Sequence, residues 1–186
     1  MESWNSSHDW TRAHVRVSIF NAMEKNTSRL CLNVEHASAH NVESIIAWAD
    51  EMGWDGEENP HSETVTLIRR DGPFDLFLHV TLASDVPDIQ KNGLIPKIGP
   101  RSAKAKEKVP AIYLFASETA MEDAVANWLG EEFSESESLA VLEIRLPIGY
   151  RADLSQDPKI GYEARCRRAI PARYITMRTR EGEGPA

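Results

Sequence analysis

The reading of this chain turns on Phe74-Asp75-Leu76-Phe77-Leu78-His79-Val80-Thr81. Its apolar pattern predicts a β-strand with Phe77 and His79 on one face and Leu76, Leu78 and Val80 on the other. A histidine in so apolar a strand is either a hydrogen-bonded core residue or a working one. Asp71-Gly72-Pro73, just before it, is a turn and a natural boundary. The residues on its two sides read differently.

Downstream, Ser84 is predicted to cap a short helix, with Pro87 in its first turn, Val86 and Ile89 facing inward and Gly93 ending it. Residues 96–108 form a loop carrying Lys97, Arg101, Lys104, Lys106 and Lys108 against one acid, Glu107. Residues 111–115 are a short strand, apolar except for Tyr113, and so buried on both faces. Ser117 caps the next helix, whose core stripe is Ala120, Ala124, Val125, Trp128 and Leu129. An acidic, serine-rich loop covers 131–138 and a strand 139–146. A long turn region follows over 147–160. Strands at 162–168 and 174–178 close the chain around Ile170-Pro171, with Glu163 near the start of the first. Residues 181–186 read as a frayed tail.

Upstream, Val15, Val17 and Ile19 alternate with His14, Arg16 and Ser18, which predicts a strand, and Leu30, Leu32 and Val34 repeat the pattern. Val42, Ile45, Ile46 and Ala49 have helical spacing, with Asn41 placed as cap and Gly53 at the end. Residues 55–62 read as a loop and 64–70 as a strand, which makes 1–73 a β-β-α-β extension. Trp4, Trp10 and Trp54 read as cover for this unit. His36 and His40 with Glu43 would share a helical face, but the predicted helix starts at Asn41 and no fourth ligand is evident, so no metal is predicted. Cys31 and Cys166 stand alone and read as small buried hydrophobes.

With 186 residues, the chain suits one domain, or one domain with an appendage. Its net charge of −8 argues against coating nucleic acid by bulk charge. Residues 1–73 hold 6 basic and 12 acidic side chains, a net of −6, which leaves −2 for the rest. The rest bunches its bases at 97–108 and at Arg165, Arg167, Arg168 and Arg173, so an anionic acceptor stays open. The start, MESWNSSHDW, lacks the basic and apolar regions of a secretory signal, and no run approaches the ~20 apolar residues of a membrane span. A cytoplasmic protein without membrane contact is the expectation. Oligomeric state has no sequence signal.

The order of these pieces resembles the ADP-ribosyltransferase superfamily, in the branch with a His-Tyr-Glu triad found in diphtheria-toxin-like and poly-ADP-ribose-polymerase-like enzymes. The resemblance rests on Leu76-Phe77-Leu78-His79-Val80-Thr81, Asn92-Gly93-Leu94, Ile112-Tyr113-Leu114-Phe115-Ala116-Ser117, and Tyr162-Glu163 followed by Ile170-Pro171-Ala172-Arg173-Tyr174-Ile175. It covers 74–180 and implies an α+β fold with a split two-sheet core. NAD would be the substrate, bound without a Gly-rich Rossmann turn, and the sequence has no G-x-G-x-x-G. The resemblance implies that Glu163, Tyr113 and His79 are catalytic. His79, Val80, Thr81, Tyr113, Ser117 and Arg101 would bind NAD. His79 would hold the adenosine-side ribose, the backbone of Val80 the nicotinamide amide, and Tyr113 the nicotinamide ring. Glu163 would bond the nicotinamide ribose and stabilise the cation left when nicotinamide departs.

The implied activity is mono-ADP-ribosyl transfer to a protein or nucleic acid, engaged through the basic segments 97–108 and 165–173. Two departures stand out. Val80 replaces the glycine common after the histidine. Gly161, two residues before Glu163, replaces the acid that arginine-modifying relatives use, so arginine is not the expected target. The RNA 2′-phosphotransferases are also similar, around Leu78-His79-Val80-Thr81 and Asn92-Gly93-Leu94-Ile95-Pro96. That family binds NAD but uses an Arg-His-Arg-Arg set and a winged-helix-like N-terminal region, against which a β-rich extension counts. A binding or inhibitory module without turnover is the third alternative.

Overall fold

The computed structural model describes residues 10–59, 61–99, 108–134, 136–157 and 160–178. The chain divides into two compact units. One takes the chain up to Pro73 together with Pro147–Gly149, and the other takes Phe74–Leu146 and the chain from Tyr150.

The first unit runs α1 (Arg12–Glu24), β1 (Arg29–Asn33), α2 (Ala39–Glu51), β2 (Trp54–Asn59) and β3 (Thr64–Arg69). Its strands form an antiparallel sheet in the order β1-β3-β2. The expected β-β-α-β order is corrected at the start, because residues 15–19 are helical. Val15 and Ile19 are four apart, a spacing that fits both periods, and Ala22 completes the buried helical stripe while Val17 is 59% exposed. A capping box sets the helix start: Thr11 Oγ1 accepts from the His14 amide at 3.3 Å, and His14 Nδ1 accepts from the Thr11 amide at 3.4 Å.

In α2 the cap is Ser38, whose Oγ accepts from the Asn41 amide at 3.1 Å. Asn41, expected as the cap, lies inside the first turn and is buried. Its side chain brackets the backbone of Trp10, accepting from the Trp10 amide at 2.8 Å and donating to the Trp10 carbonyl at 2.7 Å. Residues 54–59, expected in a loop, form β2. Pairing with β3 and the burial of Trp54 and Asp55 outweigh the poor strand propensity of Gly-Glu-Glu-Asn. Trp54 is therefore core, not cover. The Asp55 carboxylate accepts from Arg70 Nε at 2.7 Å, which makes a carboxylate tolerable at that depth.

The second unit contains β4 (Phe74–Leu82), α3 (Val86–Asn92), β5 (Ile112–Phe115), α4 (Glu118–Ala124), β6 (Leu139–Pro147), β7 (Leu154–Asp157), β8 (Ile160–Cys166) and β9 (Ile175–Met177). The strands are hydrogen-bonded in the order β7-β8-β5-β4-β6-β9. With its two antiparallel sheets and its helices, the protein is α+β. Where a core split into two sheets was expected, one hydrogen-bonded order links six strands, and β4 meets β5 at one register pair, Leu78↔Phe115.

The structure departs from other expectations as well. The turn region 147–160 contains β7, an edge strand of Leu-Ser-Gln-Asp that owes its form to pairing with β8 rather than to propensity. A 3-10 turn at Ala83–Asp85 leads into α3, whose cap position is Asp85, not Ser84. A second 3-10 turn, Ala172–Tyr174, delays the last strand to Ile175. α4 continues into a π-helical turn, Val125–Leu129, and Met121, Ala124 and Leu129 pack with Leu78, Val80 and Phe115 in one core cluster of this unit. The Trp128 side chain, Arg101 and the 181–186 tail lie outside the described residues, as does Trp4.

Two of the fragments that carry the resemblance touch each other. Gly93 ends α3 at φ 79°, where L side chains are strained, and a Cβ there would overlap the Ile170 carbonyl oxygen. Leu94 and Ile170 exchange backbone bonds of 2.9 and 2.8 Å beside it. Asn-Gly-Leu and Ile-Pro therefore form one joint. No helix among the described residues is long and apolar enough to cross a membrane.

Candidate active site

The site is built on the seam between β4 and β5. β5 pairs along its length with β8, through Ile112↔Cys166, Tyr113↔Arg165, Leu114↔Ala164 and Phe115↔Glu163. Residues directly opposite in an antiparallel pair share a face, so Tyr113, Phe115, Glu163 and Arg165 project to one side. Leu78, opposite Phe115, belongs to the same side, which is covered there by α4 and its π turn. Glu163 is 4% exposed. A carboxylate buried at that depth beside a tyrosine and an arginine is a functional candidate.

Past Leu78↔Phe115 the two strands pair no further. His79 follows immediately, and its Nδ1 lies 2.8 Å from the Tyr113 carbonyl oxygen. A carbonyl only accepts, so Nδ1 carries the proton and donates, which leaves a lone pair on Nε2 in the neutral ring. The side chain thus replaces a ladder bond where the strands part. Strand alternation assigns His79 to the face opposite Leu78, and the imidazole reaches the seam from there.

Val80 and Thr81 are both buried. The Val80 side chain packs with Leu78, Phe115 and Met121, so a β-branched residue in place of glycine fills core rather than seam. Ser117 is exposed, and its Oγ accepts from the Ala120 amide at 3.2 Å as the cap of α4. In the first basic segment, the Lys97 backbone bridges to Ala111 and Lys108 is exposed, while 100–107 lie outside the described residues.

The second basic segment is not one patch. Arg168 is buried, with its guanidinium 5.5 Å from the Tyr150 ring and 4.0 Å from Asp153. It braces the core, where Tyr150 also meets Tyr174 edge-on at 6.0 Å. Arg167 and Arg173 are exposed. Arg165 is half-buried, and its guanidinium lies 5.7 Å from the centre of the Tyr113 ring. Composition alone shows four arginines of one kind here; strand register separates them.

His40 lies within α2, 4.0 Å from Glu43, and both are exposed. Among the described residues no group of three histidine, cysteine or acidic side chains is placed to hold a metal ion. No protein-family model matches the chain, and neither does any curated protein.

Proposed function

We propose that the protein is an NAD-dependent mono-ADP-ribosyltransferase acting on a macromolecule. The observation that supports this reading is Glu163, buried on the face of Tyr113 beside the seam where His79, from the opposite face, bonds the Tyr113 backbone carbonyl. In this reading Nε2 of His79 accepts from a hydroxyl of the adenosine-side ribose. Thr81 adds a hydroxyl nearby, and the Val80 backbone bonds the carboxamide. Tyr113 stacks on the nicotinamide ring, and Arg101 meets the pyrophosphate. Glu163 bonds the nicotinamide-ribose 2′-hydroxyl and faces the positive charge that develops at C1′ as nicotinamide leaves. That charge is largest in the transition state, so the carboxylate raises rate rather than affinity alone. An acceptor nucleophile then bonds to C1′ and gives up its proton.

The test is Glu163→Ala incubated with labelled NAD and lysate. Transfer of label falls by about 100-fold or more while NAD binding remains. Unchanged transfer in a folded variant would sink the assignment.

A second reading is favoured by one observation. Among its described residues the first unit begins with a helix and has two helices and a three-stranded antiparallel sheet. The expected β-rich extension was one ground for setting aside an RNA 2′-phosphotransferase, beside the better fit of Tyr113 and Glu163 to the transferase triad, and the leading helix weakens that first ground. Release of ADP-ribose cyclic phosphate from 2′-phosphorylated RNA and NAD would select this reading. Label left on protein or unmodified nucleic acid would select the first.

A further inference from the structure

We propose that Arg165 is a positioning residue for nicotinamide departure: through the Tyr113 ring, its guanidinium disfavours the cationic nicotinamide of bound NAD but not the neutral nicotinamide that leaves. This rests on the reading above, in which Tyr113 stacks on that ring. Register on β8 puts Arg165 opposite Tyr113, on the face of Glu163 and two residues beyond it. The guanidinium is 5.7 Å from the ring centre, inside the range where the ring quadrupole attracts a cation. The guanidinium brings a positive charge to that ring. Arg165 is also half-buried, so water screens it less than a surface charge. Arg168, turned to Tyr150 and Asp153, and the exposed Arg167 have neither relation.

A ring that already holds a cation attracts a second one on its other face less well. The nicotinamide of NAD is such a cation until the C1′–N1 bond breaks. The bonding pair then goes to N1, nicotinamide leaves neutral, and the positive charge passes to C1′ and the ring oxygen of the ribose. An acceptor hydroxyl or amine, or water, bonds to C1′ and loses a proton to solvent. Positive charge therefore moves away from Tyr113 and Arg165 and toward Glu163. An interaction that differs in this way between ground and transition state changes kcat, and relieving it tightens NAD binding.

The experiment compares wild type, Arg165→Gln and Arg165→Lys by nicotinamide release from NAD, with ADP-ribose binding measured by calorimetry. Arg165→Gln is expected to lose about tenfold in kcat and to show a lower KM for NAD, with ADP-ribose binding unchanged. Arg165→Lys restores most of kcat by returning the charge. Wild type is expected to bind neutral nicotinamide at least about tenfold more tightly than cationic 1-methylnicotinamide. That comparison decides the matter if Arg165→Gln does not fold. Three results overturn the proposal: unchanged kinetics in Arg165→Gln, weaker ADP-ribose binding by folded Arg165→Gln (a direct phosphate contact), or equal binding of the two ring ligands by wild type. Each of these leaves the transferase reading standing if wild type releases nicotinamide. No nicotinamide release by wild type, with or without lysate, sinks the transferase reading and this proposal together.

Discussion

Tyr113 gives its carbonyl oxygen to the imidazole of His79, 2.8 Å away, where a neighbouring strand would ordinarily supply an amide. In the proposed reading one side chain does two things: it closes the seam with Nδ1 and turns Nε2 to the NAD ribose. These separate by substitution. His79→Ala loses both and is expected to destabilise the fold by about 1–2 kcal/mol, with a raised KM for NAD. His79→Asn can place an amide nitrogen near the Nδ1 position. It is expected to recover the stability while leaving KM raised, as urea unfolding and initial rates would show.

Gly93→Ala tests the joint with Ile170. A side chain there meets both a left-handed backbone and the Ile170 carbonyl, so unfolding in urea is expected to show a loss of more than about 2 kcal/mol. A smaller loss would mean that Leu94 and Ile170 separate easily.

Ser117 serves α4 as its cap. Ser117→Ala is expected to cost about 1 kcal/mol, and Ser117→Asp to restore it, since both native and replacement oxygens accept from the Ala120 amide. A rise in KM for NAD that neither stability change explains would give the hydroxyl a second task.

Asp75 accepts two bonds of 2.7 Å from Arg151, and these hold its carboxyl below the ordinary value of 3.8. A lowered folded-state pKa stabilises the protein at pH above the unfolded value, and the contribution fades as pH falls through the folded one. Both side chains reach solvent, so the pair contributes little and less in salt. Asp75→Asn is therefore expected to be less stable than wild type at pH 7. The difference should close below about pH 4. A gap that persists in acid would assign the effect to packing.

What could be read from the sequence depended on how local its cause was. β4 was legible because it is a long apolar run bounded by the Asp71-Gly72-Pro73 turn. α1 was misread because Val15 and Ile19, four apart, satisfy a strand and a helix alike; the burial of Ala22 separates the two. β2 and β7 were missed because their polar residues become strands only through partners distant in the chain. In the site, His79 and Tyr113 were visible as polar residues in apolar strands. Arg165 was hidden among like residues until register gave it a neighbour.

The first unit borrows three residues from far along the chain. Pro147–Gly149 belongs to it, the Gly149 carbonyl accepts from Arg29 at 3.1 Å, and a Cβ on Gly149 would sit 2.7 Å from the Ser28 carbonyl oxygen. The Ile148 amide donates to the Pro73 carbonyl at 3.1 Å. An N-terminal fragment cut at the Asp71-Gly72-Pro73 turn would be missing part of its own wall. It would be completed only when that distant tripeptide is supplied, either in the intact chain or as an added peptide.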